Sequence, residues 1–161
     1  MVFDVVFVGK LIPRKGLIQL VLASILEHNR INLHVYGEGP LQYFVRFACL
    51  MAPKTVFYYG YVSNKDLIRE YNRFHYLCVP SMREAFGLVY IEALNAGIPV
   101  ILLKNEGIYD LVFDHNLGVV LENNKVSSLR NALRKLESKK CVNLPRELEW
   151  ESIMKIYLDE F

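Results

Sequence analysis

The sequence predicts a doubly wound, Rossmann-like α/β domain built on a parallel sheet. Three observations predict it. Short apolar runs of strand length alternate with longer stretches at helical spacing. The runs are continuously apolar rather than alternating, as strands covered on both faces require. Several end at a glycine (Gly9, Gly37, Gly60), where the chain turns toward the next helix.

The elements follow in order. Residues 5–8 form the first strand, and Leu17, Leu20, Val21, Ser24 and Ile25 mark a helix over 17–28. Residues 33–36 are the second strand. Residues 41–51 are the second helix, with Phe44, Phe47, Ala48 and Met51 on one side. A third strand covers 55–59, and Ser63 is the N-cap expected for a helix over 64–73. Residues 76–79, 98–103 and 117–121 are the fourth, fifth and sixth strands. A largely apolar helix stopped by Gly97 lies between the fourth and fifth. Leu129, Ala132, Leu133 and Leu136 mark a further helix. Residues 146–158, with Trp150, are an amphipathic last one. Residues 138–145 are the one loose connection, so the chain is expected to be a single domain.

Bulk properties narrow the function. A chain of 161 residues, 53% hydrophobic and 22% charged, can bury one sizeable core. A net charge of +2 gives no ground for nucleic-acid binding. Cys49, Cys78 and Cys141 are widely spaced, which points to a reducing, cytoplasmic setting without a disulfide framework. His28, His34, His75 and His115 lack metal-ligand spacing, so no metal is expected. No run approaches the length of a membrane span. The N-terminus has no basic region or cleavage site of a signal peptide.

Ligands of such sheets sit beyond the carboxyl ends of the strands. That rule selects residues 9–16, 37–40, 60–62, 80–85 and 104–107. They carry Lys10, Arg14, Lys15, Arg83 and Lys104 together with Glu38, Glu84 and Glu106. Cations beside glycine-relieved turns suit a phosphate-bearing ligand that also presents hydroxyls. A solvated basic turn is the alternative for residues 10–16 alone. Neither a Walker A loop nor a dinucleotide fingerprint is present. Gly37-Glu38-Gly39-Pro40 reads equally as a tight strand-to-helix turn. The most telling stretch is 80–100. From Ala85 to Gly97 its only charge is Glu92, inside an apolar helix, where a carboxylate needs a partner. Glu84 stands eight positions earlier. Phe86-Gly87-Leu88 lies between the two, at an amide-rich helix start that favours anions.

Together these segments resemble the C-terminal, donor-binding domain of family 4 retaining glycosyltransferases, whose two-Rossmann-domain architecture is the GT-B fold. Phe7-Val8-Gly9-Lys10-Leu11 with Arg14-Lys15-Gly16 is similar to the family's opening motif. Tyr36-Gly37-Glu38-Gly39-Pro40 and Gly60-Tyr61-Val62 are similar to its next two. Glu84 and Glu92, with Phe86-Gly87-Leu88 between them, match its paired-glutamate signature, and Gly97-Ile98-Pro99-Val100 follows as it should. Gly107-Ile108-Tyr109-Asp110 is similar to a later glycine motif. The chain departs from the family at Lys10, where arginine is usual. It also has one glycine at 105–107 instead of two, and Asp110 in place of glutamate.

The resemblance implies transfer of a hexose, with retention, from a nucleoside-diphosphate sugar such as a UDP or GDP conjugate, without a metal or other cofactor. It implies that Glu84 meets the donor sugar and that backbone amides at Phe86, Gly87 and Leu88 meet sugar and phosphate oxygens. Lys10, Arg14 and Lys15 would hold the diphosphate, with Lys10 and Lys15 stabilising it as it departs. Glu92 would accept from both ribose hydroxyls, while Tyr61 and Val62 line the base pocket near Gly37 and Gly39. It also implies a missing N-terminal Rossmann domain, in cis or trans, that binds a glycan, lipid or protein acceptor. On that reading the chain is either a fragment, as its abrupt start favours, or a short natural protein, with any peripheral membrane contact made through the missing half. A non-catalytic nucleotide-sugar-binding or regulatory module and an epimerase of the same fold remain as alternatives.

Overall fold

The computed structural model describes residues 1–82, 87–104, 107–138 and 142. Arg83, Glu84, Phe86, Glu106, Cys141, Trp150 and the helix expected over 146–158 lie outside the described residues.

Six parallel strands form one sheet: β1 (Phe3–Val8), β2 (Ile31–Tyr36), β3 (Val56–Gly60), β4 (Tyr76–Cys78), β5 (Val100–Leu103) and β6 (Gly118–Leu121), in the order β3-β2-β1-β4-β5-β6. This is the doubly wound order the apolar runs predict. Strand order reverses between β1 and β4, so the crevice of such a sheet opens beyond the carboxyl ends of those two strands.

The helices are α1 (Leu17–Leu26), α2 (Gln42–Met51), α3 (Asn64–Glu70), α4 (Leu88–Asn95), α5 (Tyr109–Asp114) and α6 (Val126–Arg134). Right-handed crossovers place α1 and α2 on one face and α3 to α5 on the other. Then α6 returns to pack on α1, where Glu27 accepts hydrogen bonds from Arg130 and Arg134, each at 2.6 Å. Burial of Glu27 opposes ionisation, but the two guanidiniums outweigh it and hold its pKa below the usual value.

Local chemistry explains the element ends. Ser63 caps α3 as expected: its hydroxyl oxygen accepts the Asp66 N–H at 3.2 Å and its O–H donates to the Asp66 carboxylate at 2.6 Å. The helix expected over 64–73 changes after Glu70 to a 3-10 turn, Tyr71–Arg73. The tighter turn superposes residues three apart, and Tyr71 and Phe74 both point into the core. On α2, Val45 and Ala48 are buried while Phe47 and Met51 are exposed, so the buried side is narrower than the sequence implied. The six-residue α5 has no counterpart in the sequence pattern. Cys78 is buried, which pushes its thiol pKa well up, and Cys49 is half-buried and raised likewise.

The α3-bearing face of β1 to β3 is polar and aromatic. Tyr36 stacks on Tyr59, and His34 stacks on Phe57. The His34 ring bridges Tyr59 and Asp4: Nε2 donates to Asp4 Oδ1 and Nδ1 accepts from the Tyr59 hydroxyl, each at 3.0 Å. Burial lowers the His34 pKa from 6.5, against the opposing pull of Asp4 and with a smaller push from Arg73. The unfolded chain therefore binds a proton here at higher pH than the folded one. This contribution to stability is complete above pH 6.5 and is lost as pH falls through the lower folded value. In His34→Asn, the drop in urea midpoint between about pH 7.5 and about pH 5.5 should be shallower than in the parent chain. An equal drop in both contradicts the assignment.

Candidate functional site

The crevice is built by loops that lock together through their backbones. The loop after β1 contains a 3-10 turn, Pro13–Lys15, and ends at Gly16. Gly16 has φ +70°, and a Cβ there would lie 2.3 Å from the Pro80 carbonyl oxygen. The Met82 N–H donates to the Arg14 carbonyl at 2.9 Å. The loops following β1 and β4, on either side of the strand-order reversal, are thus clasped.

A second clasp joins the loops after β1, β2 and β3. Gly37 has φ +132°, and a Cβ there would lie 1.9 Å from the Gly9 carbonyl oxygen. A Cβ on Gly39 would lie 2.6 Å from the Leu11 carbonyl oxygen. The Leu11 N–H donates to Glu38 O at 2.8 Å, and the Gly37 N–H to Gly60 O at 2.7 Å. Gly37 and Gly39 therefore have a packing reason that needs no ligand. They sit against the loop that carries Lys10.

Above this layer is a hollow of about 340 Å³ lined by residues including Gly9, Lys10, Gly37, Glu38, Tyr61 and Val62. Four sequence-predicted residues, Lys10, Gly37, Tyr61 and Val62, are thus brought together. Lys10 and Arg14 are exposed, as is Tyr61. Lys15 is only 9% exposed and is engaged within the fold. Lys104, expected at the same edge, pairs with Glu122 at 3.5 Å.

The start of α4 completes the crevice at the β4 side. Gly87 is buried, with left-handed φ 56° and ψ 62°, and directs the chain from the loop into the helix. Leu88 opens α4 and is exposed. Tyr90 fixes the helix to the end of β4: its buried hydroxyl donates to the Val79 carbonyl at 2.6 Å. The first N–H groups of a helix have no intrahelical acceptor and face what lies beyond the strand ends.

Glu92 lies in a neighbouring groove of about 500 Å³ between α3 and α4, not in the hollow with Lys10. Its Oε1 accepts from Asn64 Nδ2 at 3.0 Å. Asn64 is the partner that the isolated carboxylate demanded. The sequence does not reveal it, because the two residues are joined only by the placing of α3 beside α4. The chain from Val62 to Asn64 connects the hollow and the groove. A larger cavity of about 680 Å³ runs beside the edge strand β3, lined by residues including Arg46, Cys49, Leu50 and Phe57. It is mainly apolar and away from the β1–β4 reversal, so the smaller hollows are the better candidates.

Loops after β1, β2 and β3 thus set a cation and a polar aromatic rim around one hollow, and Glu92 stands in the groove beside it. Residues 2–151 match the family described as glycosyl transferases group 1. The chain belongs to that family. An uncharacterised glycosyltransferase of Methanocaldococcus jannaschii is 30% identical over 112 residues, 67% of this chain and 29% of the relative. WaaG, a glycosyltransferase involved in lipopolysaccharide biosynthesis, superposes with a TM-score of 0.69 at 29% identity, over 83% of this chain and 37% of its own. Anabaena HepE, solved with UDP and glucose, superposes with a TM-score of 0.74 at 18% identity, over 99% of this chain and 46% of its own. The sheet and its flanking helices are therefore those of GT-B glycosyltransferases. This group 1 chain spans about a third of the length of the curated relatives it matches. Among its described residues no helix is long and apolar enough to cross a membrane, and no cluster of three His, Cys, Asp or Glu is placed to hold a metal.

Proposed function

We propose that this chain is the donor-binding domain of a retaining glycosyltransferase. It holds a nucleoside-diphosphate hexose in the β1–β4 crevice, and a second, N-terminal Rossmann domain supplies the acceptor. The observation that carries this reading is the hollow that Lys10, Tyr61 and Val62 line at the carboxyl ends of the strands, with the groove that holds Glu92 adjoining it through residues 62–64. The UDP and glucose bound by a protein of the same fold agree with it.

The base rests against Tyr61 and Val62, and Glu92 accepts hydrogen bonds from the ribose hydroxyls. Lys10, Arg14 and Lys15 and the first amides of α4 hold the diphosphate by charge. Glu84 and Phe86 are assigned to the sugar by the paired-glutamate motif alone. In the transfer step the bond from the anomeric carbon to the diphosphate oxygen breaks, and an acceptor oxygen bonds to that carbon on the same face. The acceptor proton passes to the departing diphosphate. Positive groups already in place around that diphosphate lower the barrier without a metal.

Calorimetric titration with UDP, GDP, ADP and their sugar conjugates, with and without a chelator, tests the reading. Saturable binding of one nucleotide series, unchanged by the chelator, is expected. Absence of binding in every series contradicts the donor assignment, and binding abolished by the chelator contradicts the metal-free part.

A further inference from the structure

Glu92 and Asn64 are 28 positions apart, yet their hydrogen bond ties the helix after β4 to the loop after β3. Asn64 is the first residue of α3, next to the Ser63 cap. Its amide is not needed for capping, because the Ser63 side chain already accepts the Asp66 N–H. Tyr71 also lies near Glu92. Its hydroxyl is buried and has no hydrogen-bond partner among the described residues, and burial together with the Glu92 charge pushes its pKa far up. Tyr71 therefore feels the carboxylate without holding it, whereas Asn64 holds it.

A half-exposed glutamate samples several rotamers unless a donor selects one. Asn64 occupies Oε1 and leaves Oε2 available to a ligand hydroxyl. The same bond fixes the distance between Glu92 and the loop carrying Tyr61 and Val62.

We propose that Asn64 is a positioning residue: by holding Glu92 Oε1 it sets the carboxylate for the ribose, and it makes discrimination between ribose and 2′-deoxyribose depend on a side chain that does not touch the ligand. This rests on the reading of Glu92 as the ribose acceptor. The position is exposed at the first turn of a helix, so substitutions there leave the core intact.

The test compares affinity for whichever of UDP, GDP or ADP binds best with affinity for its 2′-deoxy counterpart. The intact chain should prefer the ribonucleotide by about 10-fold or more, the worth of a hydrogen bond to a charged group. Glu92→Ala should abolish the preference. Asn64→Ala should reduce it by roughly 3- to 10-fold. Asn64→Asp, which sets a second carboxylate against Glu92, should reduce it further at neutral pH. Tyr71→Phe should keep it. If Asn64→Ala and Asn64→Asp retain the full preference while Glu92→Ala loses it, the positioning role is overturned and the ribose assignment stands. If Asn64→Ala weakens both nucleotides equally, its role is structural only. If the intact chain binds both equally, the ribose assignment falls, and this inference with it.

Discussion

Gly37→Ala should destabilise the domain by about 3–5 kcal/mol, a large share of the roughly 5–15 kcal/mol that holds a domain folded. Two costs combine. The backbone at Gly37 has φ +132°, a conformation costing an L side chain about 1–3 kcal/mol. The new Cβ would also stand 1.9 Å from the Gly9 carbonyl oxygen, which is backbone and cannot swing aside. The loops after β1 and β2 would have to part, straining Gly37 N–H to Gly60 O and Leu11 N–H to Glu38 O, each worth about 0.5–1.5 kcal/mol. Gly60→Ala is the control. It too has positive φ, +73°, but a Cβ there meets nothing within 4 Å. That change should cost only about 1–2 kcal/mol. Urea unfolding of the two variants measures the difference, and equal losses contradict the close-packing account.

Glu92→Ala should weaken nucleoside-diphosphate binding by about 1.5–3 kcal/mol, or roughly 10- to 150-fold, with little change in folding stability. The carboxylate is half-buried and its hydrogen bond is to the exposed Asn64, so its removal lets the amide return to water. What is lost in the complex is larger, because charge-assisted bonds to ribose hydroxyls have no substitute in an alanine. Glu92→Gln should retain part of the affinity, since an amide oxygen still accepts. An unchanged dissociation constant in Glu92→Ala sinks the ribose assignment.

The sheet was legible because strands buried on both faces must be continuously apolar, as 5–8 and 98–103 are. Strand ends were less so: β1 begins at Phe3, whose neighbour Asp4 looks like a loop residue until His34 is found bonded to it. The α5 helix escaped notice because six residues that bury chiefly Val112 carry too little periodicity to outweigh the glycine before them. In the site, Lys10, Tyr61 and Val62 followed from the rule that ligands sit at the carboxyl edge, and the three line one hollow there. Gly37 and Gly39 were legible as turn residues, but their reason, contact with Gly9 and Leu11, is a relation between separate segments that local pattern cannot display. Asn64 was invisible for the same reason. The need for a partner at Glu92 could be read from one helix, but its identity depended on how two helices lie together.

The most direct test of the donor-site account is a backbone amide NMR titration of the intact chain with its best-binding nucleoside diphosphate. The account predicts that the largest shift changes fall at Gly9, Lys10, Tyr61, Val62, Gly87 and Leu88, with little change at Arg46, Cys49 and Phe57. Changes centred instead on Arg46, Cys49 and Phe57, around the larger apolar cavity, would contradict it.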